Sequence, residues 1–157
     1  MHKIIRHFIS PGLALLPMKM DTIEARAMLL AIGLQESRFE HRKQIGGPAR
    51  GWWQFEKGGG VKGVLEHRST RDIIIGVCGR LVIPPDPSIC HGLIAYHDAL
   101  ACVFARLLLW TLPSRLPGPG EAEEGWRQYI AAWRPGKPHR ATWNEFYDRA
   151  WSMVEGG

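Results

Sequence analysis

The side chain best placed to do chemistry is the carboxyl of Glu36. It lies near the C-terminal end of a predicted apolar helix that faces the core with Leu30 and Leu34, and an aromatic-rich stretch follows the next loop. A carboxyl group in apolar surroundings tends to keep its proton, because desolvation disfavours the charged form. Cleavage of a glycosidic bond requires such an acid, since the leaving sugar oxygen must receive a proton. Alternatively, Glu36 is a surface residue at a frayed helix end, which composition alone favours.

Two short motifs around Glu36 change that balance. The first is Glu-Ser-x-Phe at a helix end, formed by Glu36, Ser37 and Phe39, and the second is Ala-x-Gly-Trp-Trp-Gln, residues 49–54. Together they resemble the motifs of the lytic transglycosylase and goose-type lysozyme superfamily, whose members cleave the glycan strands of peptidoglycan. A Glu-Ser pair alone is common, whereas the paired match at this spacing is fairly specific. Beyond residues 36–54 the resemblance extends over residues 21–138 only in the order of the elements.

The resemblance implies roles for individual residues. Glu36 is the expected catalytic acid/base, Ser37 helps to orient the substrate or Glu36, and Gln54 exchanges hydrogen bonds with a sugar acetamido group. Trp52 and Trp53 are adjacent, so we expect one in the core and the other as a stacking wall for a sugar. We take Trp53 as the substrate-binding residue.

The family's third motif, which carries a Tyr that points at the catalytic Glu, has two candidate positions. The preferred one is residues 131–136, where Trp133 replaces the Tyr; the hydroxyl contact is then absent or supplied by Tyr129. We therefore include Tyr129 and Trp133 among the substrate-binding residues. The alternative is Tyr96, which comes too early in the order of elements.

The reaction product depends on whether a second carboxylate lies in the cleft. Glu56 is the candidate for a water-positioning base, with Asp98 as a further one, although a surface ion pair is the more common role for Glu56. Without such a group, the family's alternative applies, in which the substrate's own hydroxymethyl oxygen attacks and leaves an anhydro sugar. We expect this lytic transglycosylase outcome slightly more than hydrolysis by a muramidase.

Apolar periodicity predicts the elements that position these groups. Helices are expected over residues 21–38, with Asp21 as N-cap, over 91–111, over 121–133, and from Thr142 to the C-terminus, with a short helix around Val64. Residues 70–83 fit a strand or a buried helix equally well. The predicted fold is therefore mostly α, a single compact lysozyme-like domain of residues 1–157, with residues 1–20 as a segment packed on it.

The composition indicates one soluble globular domain, and the 157 residues carry a formal net charge of +5. Such a charge attracts polyanions, including the bacterial cell wall. Three cysteines without a C-x-x-C spacing argue against a disulfide framework or a zinc knuckle, and His91, His97 and Cys90 show no metal-ligand pattern. We expect no metal, no cofactor, no transmembrane segment and no nucleic-acid partner, and a monomer that binds peptidoglycan glycan strands.

The expected source is a bacteriophage, as an endolysin or a virion-associated wall-degrading protein. The apolar stretch in residues 1–16 is interrupted by Ser10-Pro11-Gly12 and lacks a cleavage site, so we expect no signal peptide. Such a protein is made in the host cytoplasm and acts on the wall after release or as part of a virion. The competing interpretation is a non-enzymatic phage structural or basic binding module with a lysozyme-like fold.

Overall fold

A buried helix, α3 (Ile23–Ser37), forms the centre of the computed structural model, which describes residues 2–156. Residues on every side of α3 are buried, among them Met28, Leu29 and Ile32, as expected for a helix surrounded by protein rather than lying on its surface. Its N-cap is Thr22, whose hydroxyl oxygen accepts from the Ala25 amide at 3.2 Å. The prediction of Asp21 as N-cap was wrong, because the Asp21 carboxylate is engaged by Arg26 at 2.7 and 2.8 Å.

The remaining helices pack on α3 or on one another. Helix α1 (His2–Ile4) continues through a π-helical turn, Ile5–Ile9, into α2 (Ser10–Leu13), and Ile9 and Leu13 are buried. Later in the chain come α4 (Lys62–Glu66), α5 (Arg71–Leu81), α6 (Pro87–Ile94), α7 (Asp98–Trp110), α8 (Ala122–Trp133) and α9 (Arg140–Glu155). Helix α9 packs along α3, and α2 packs on α7. The mostly α-helical prediction is thus confirmed: within residues 2–156 there is no strand, only isolated antiparallel bridges of Lys43 with Arg50 and of Arg50 with Phe55.

One segment left open by the sequence is settled by the structure, and two predicted elements differ from those observed. The ambiguous segment 70–83 is helix α5, which ends at Val82 in the left-handed conformation (φ 56°). The single helix predicted over residues 91–111 is two helices, α6 and α7, that meet at a bend of 117°. The side chain of His97 accepts a hydrogen bond from the Leu100 amide at 3.1 Å and so starts α7 as its N-cap. Helix α9 begins at Arg140, so Thr142 lies within its first turn rather than at its N-cap.

The core is formed by aliphatic side chains of α3 and α7 together with aromatic residues of the 52–55 segment and α9. Cys78, Cys90 and Cys102 are buried and free. Among the described residues, no single helix is both long and apolar enough to cross a membrane, although the bent pair of α6 and α7 meets the criteria of length and composition when taken together.

Candidate active site

The C-terminal end of α3 is fixed in place by Ser37. Its buried hydroxyl donates to the Trp52 carbonyl at 2.7 Å and accepts from the Phe39 amide at 3.1 Å. Arg38 and Phe39 then adopt left-handed backbone conformations (φ 54° and 56°), which turn the chain sharply away from the helix. Ser37 is only 6% exposed, so its role is to position the end of α3 relative to the segment that carries Trp52, and not to contact a substrate in this conformation.

Glu36 precedes this turn and is partly buried at one wall of a large cleft. Its Oε1 accepts a hydrogen bond from the Tyr129 hydroxyl at 2.6 Å. Burial raises the pKa of Glu36 to about 7; the Tyr129 hydrogen bond opposes this rise, and the negative charge of Glu56 adds to it. A carboxyl group with that pKa is divided between its acid and base forms near neutral pH, as proton transfer in both directions requires.

The Tyr129 hydroxyl is held in place by aromatic packing. Its ring stacks on Trp143 of α9, with centroids 5.2 Å apart and planes 8° from parallel, and it also contacts Trp126 and Trp133. The Tyr129 side chain is 2% exposed. Burial and the nearby Glu36 raise the pKa of Tyr129 above its ordinary value, so the phenol stays protonated and donates to the carboxylate. Sequence reasoning had left open whether this hydroxyl contact exists, and the structure supplies it from Tyr129.

The cleft has a volume of about 1130 Å³ and is partly open to solvent. It runs between the 54–67 segment and the loop after α8. Five of the sequence-predicted site residues line it: Glu36, Gln54, Glu56, Tyr129 and Trp133. Pockets that bind small molecules typically measure roughly 300–1,000 Å³, and this cleft, which is lined by both the acid and the candidate positioning groups, is of comparable size.

Trp53 does not form a wall of this cleft. Its side chain is fully buried and its indole nitrogen donates to the Leu29 carbonyl at 2.8 Å. Trp52 is also buried and packs against Phe8 and the guanidinium of Arg42. The expectation that Trp53 stacks on a sugar is therefore corrected: both indoles belong to the core, and neither offers a free face to a ligand.

Trp133 lies between the cleft, which it lines, and the core, against which it packs. Its indole nitrogen donates to the Trp53 carbonyl at 2.8 Å, and its ring lies 5.8 Å from that of Phe55. Because the Trp53 carbonyl is thereby fixed to α8, the bond connects the end of α8 to the segment that carries Gln54. Trp133 therefore holds the two walls of the cleft at a set separation.

Gln54 lies at a strained backbone position on the opposite wall. Its φ is 50°, in the left-handed region that residues other than glycine seldom occupy. The side-chain nitrogen donates to the Gly51 carbonyl at 2.9 Å, whereas the side-chain oxygen accepts from none of residues 2–156. Gly51 itself has a φ of 75°, and a Cβ there would come within 2.7 Å of the Ile94 carbonyl oxygen. This turn thus requires glycine at position 51 and leaves the Gln54 oxygen free to accept from a ligand.

The other candidate carboxylates differ in position. Glu56 is exposed and lines the cleft, and Gly58-Gly59-Gly60 follow it after Lys57. Asp98 lies outside the cleft and forms a bidentate ion pair with Arg42. Tyr96, the alternative third-motif residue, is 66% exposed and faces Lys43, so it is not brought to Glu36.

Several residues of the cleft carried no signal in the sequence. Glu66 and the cations Lys62, Arg134 and Lys137 line it, but charged side chains at these positions are indistinguishable from ordinary surface residues without the fold. Gln35 is a further case: its side-chain oxygen accepts from the Thr142 hydroxyl at 3.0 Å and its nitrogen donates to the His139 carbonyl at 2.9 Å. These bonds attach α9 to the turn of α3 that carries Glu36.

Within the part of the chain that the structure describes, no three His, Cys, Asp or Glu side chains are grouped closely enough to hold a metal ion. Comparison with known proteins gives no significant match, either to a family's sequence profile, to a curated protein or to a solved structure.

Proposed function

We propose that this protein cleaves the β-1,4 bond between MurNAc and GlcNAc in peptidoglycan, with Glu36 as general acid and then general base, on a lysozyme-like helical fold. One observation carries the proposal: a carboxyl group with a pKa of about 7 faces an open cleft and is held by a buried tyrosine hydroxyl. The motif resemblance over residues 36–54 supports the same reaction.

The first step is proton transfer. Glu36 Oε1 is occupied by Tyr129, and Oε2 accepts no hydrogen bond from residues 2–156, so the proton reaches the glycosidic oxygen from Oε2. As the bond from C1 of MurNAc to that oxygen breaks, GlcNAc leaves with the proton and positive charge develops at C1. The carboxylate now formed is stabilised by the Tyr129 hydrogen bond, and Gln54 Oε1 is free to hold the acetamido N–H of a bound sugar.

The second step is capture of C1. In the transglycosylase route the C6 hydroxyl of the same MurNAc attacks C1, and Glu36 takes up the hydroxyl proton, which regenerates the acid and leaves a 1,6-anhydro ring. This route needs only a substrate held in a reactive geometry. Hydrolysis is the second candidate, because Glu56 lines the same cleft and its charge acts on Glu36; an inverting mechanism would use it to hold the attacking water.

The basic net charge fits an anionic wall polymer as the partner. We place the protein's action at the bacterial wall, after release from a phage-infected host or as part of a virion. The alternative function is that of a binding module, which has the cleft but does not catalyse the reaction. The enzyme and the binding module would both be attracted to peptidoglycan.

Loss of turbidity of Gram-negative cells stripped of their outer membrane tests the proposal. Glu36→Gln keeps the side-chain shape but cannot transfer a proton, so lysis should fall to background. The matched control is Glu66→Gln, which alters an exposed carboxylate of the same cleft. It should lyse cells nearly as well as the unchanged protein. Lysis by Glu36→Gln at the unchanged rate would contradict the assignment. Wall binding without any lysis by the unchanged protein would favour the binding module.

A further inference from the structure

A second cavity, of about 530 Å³, lies away from the cleft between the segment that leads into α3, the C-terminal half of α7 and the 112–118 loop. Among its lining residues only Leu112 also lines the cleft. Three of its four charged side chains are cationic: Lys19, Arg106 and Arg115, against the carboxylate of Glu24. The cavity is thus separate from the cleft and its charged lining is mostly cationic.

Arg106 is the unusual residue of this cavity. It lies on α7, in the core, and is only 2% exposed. Its Nε donates to the Met20 carbonyl at 2.8 Å, but its two terminal nitrogens donate to no atom of residues 2–156, and no carboxylate of that range lies within ion-pair distance. Burial lowers the pKa of Arg106 to about 10, which still leaves the guanidinium charged at neutral pH.

A buried charge without a counterion is costly, and buried arginines in proteins are normally paired. The terminal nitrogens of Arg106 are not fully enclosed by protein. Because Arg106 lines the cavity, these nitrogens are open to it. A guanidinium presents two parallel N–H donors that match the two oxygens of a carboxylate or a phosphate. The Arg106 guanidinium therefore supplies the donor side of a bidentate ion pair at the wall of the cavity.

The surroundings of Arg106 favour the same kind of ligand. Trp110 lies under both cations, 5.0 Å from the Arg106 guanidinium and 5.5 Å from Lys19 Nζ. Thr22 and Glu24 also line the cavity, so the N-terminal end of the 15-residue helix α3 borders it. Arg115 is held by Glu121 at 2.8 and 2.6 Å and contributes less. The rest of the wall is largely apolar: Leu109, Leu112, Pro113 and Leu116.

We propose that this cavity binds an oxyanion, a carboxylate or a phosphate, carried on an apolar body, with the oxyanion on Arg106 and Lys19 and the apolar part against Trp110 and the 112–116 loop. The site is independent of the glycosidase proposal, because it uses neither Glu36 nor the cleft. It gives the protein a second ligand, such as an amphiphilic acid or a phosphorylated lipid, whose binding holds the start of α3 to the end of α7.

Calorimetric titration and thermal unfolding with four defined probes test this. Octanoate and octyl phosphate, below their micelle concentrations, carry the two oxyanions on the same tail; octanol lacks the charge and inorganic phosphate lacks the tail. We expect binding and a higher Tm with octanoate, octyl phosphate or both, and which of the two binds tells a carboxylate ligand from a phosphate one. Much weaker binding is expected for octanol and inorganic phosphate. Equal binding of octanol, or no binding of either charged amphiphile, would overturn the proposal.

Variants locate the binding. Arg106→Met should weaken binding of the charged probe at least about 10-fold, as loss of a charged hydrogen-bonding partner does, and Lys19→Met should weaken it by a smaller factor. Lys3→Met, an exposed charge on α1 outside the cavity, is the control and should change nothing. If Arg106→Met fails to fold, two other measurements test the site: the affinity of Lys19→Met, and the shift of the Arg106 Nε–H NMR signal when the charged probe is added to the unchanged protein. An unmoved Arg106 signal together with full affinity in Lys19→Met would refute the site.

Discussion

Replacing Tyr129 with phenylalanine removes one hydroxyl and leaves the ring that stacks on Trp143. The hydroxyl donates to Glu36 at 2.6 Å and stabilises the charged form of that carboxyl group, so it lowers the pKa of Glu36 against the effect of burial. Without it, burial and the charge of Glu56 act unopposed. We therefore expect the pKa of Glu36 to rise above its value of about 7.

The size of this rise follows from the type of bond. A hydrogen bond to a charged group contributes about 1.5–3 kcal/mol, and about 1.4 kcal/mol corresponds to one pH unit. The pKa of Glu36 should therefore rise by about 1–2 pH units. The activity should follow with the same sign: a general acid works in its protonated form, so the alkaline limb of the pH–rate profile should move to higher pH, even if the maximal rate falls.

NMR titration of the Glu36 side-chain carboxyl carbon measures the pKa directly, without relying on any substrate. Tyr147→Phe is the matched control, because the Tyr147 hydroxyl donates to the Gly118 carbonyl at 2.7 Å and has no contact with Glu36. It should leave the Glu36 pKa unchanged. A Glu36 pKa that stays the same or falls in Tyr129→Phe would refute the claim that this hydroxyl holds the carboxylate.

Three further changes test the site. Glu36→Gln should stabilise the protein by about 3 kcal/mol above pH 7 but hardly at pH 4. The reason is that ionising the buried Glu36 destabilises the folded state progressively between pH 4.5 and about 7. Equal stabilisation at both pH values, measured by urea unfolding, would contradict this. Trp133→Phe removes the hydrogen bond to the Trp53 carbonyl, so the free energy of unfolding in urea should fall by about 1 kcal/mol and the activity should fall as well. Full activity would show that the cleft walls need no such bond. Gln54→Gly should keep or raise the Tm, because φ is 50° there, while raising KM for glycan strands; an unchanged KM would exclude a substrate contact.

The helices could be predicted where one apolar face is continuous, and less well where a break depends on the fold. Helix α8 matched its predicted range to within one residue. The bend between α6 and α7 was missed because apolar residues continue at helical spacing across it, while the break is made by the His97 side chain capping α7. Asp21 and Thr22 are both good N-caps by type; the choice of Thr22 depends on Arg26, which binds the aspartate.

In the candidate site, spacing was informative and orientation was not. The Glu36 to Gln54 motif placed two residues that do face one cleft. The motif could not show that Trp53 points into the core, because that orientation is set by a hydrogen bond to Leu29, 24 residues earlier. Tyr129 was one of two options for the hydroxyl, since its approach to Glu36 joins residues 93 positions apart. The Arg106 cavity had no counterpart in the sequence, where an arginine within an apolar helix resembles a surface residue.

Mass spectrometry of peptidoglycan fragments directly tests whether Glu36 drives cleavage of the glycan strand. Purified sacculi are digested with the unchanged protein and, in parallel, with Glu36→Gln, and the soluble fragments are weighed. We predict fragments that end in anhydro-muramic acid, one water lighter than hydrolytic products, from the unchanged protein and none from the variant. Reducing muramic ends would replace the transglycosylase route by hydrolysis, with Glu56 as the next residue to change. Intact glycan strands with the unchanged protein, or the same fragments from Glu36→Gln, would contradict a role of Glu36 in strand cleavage.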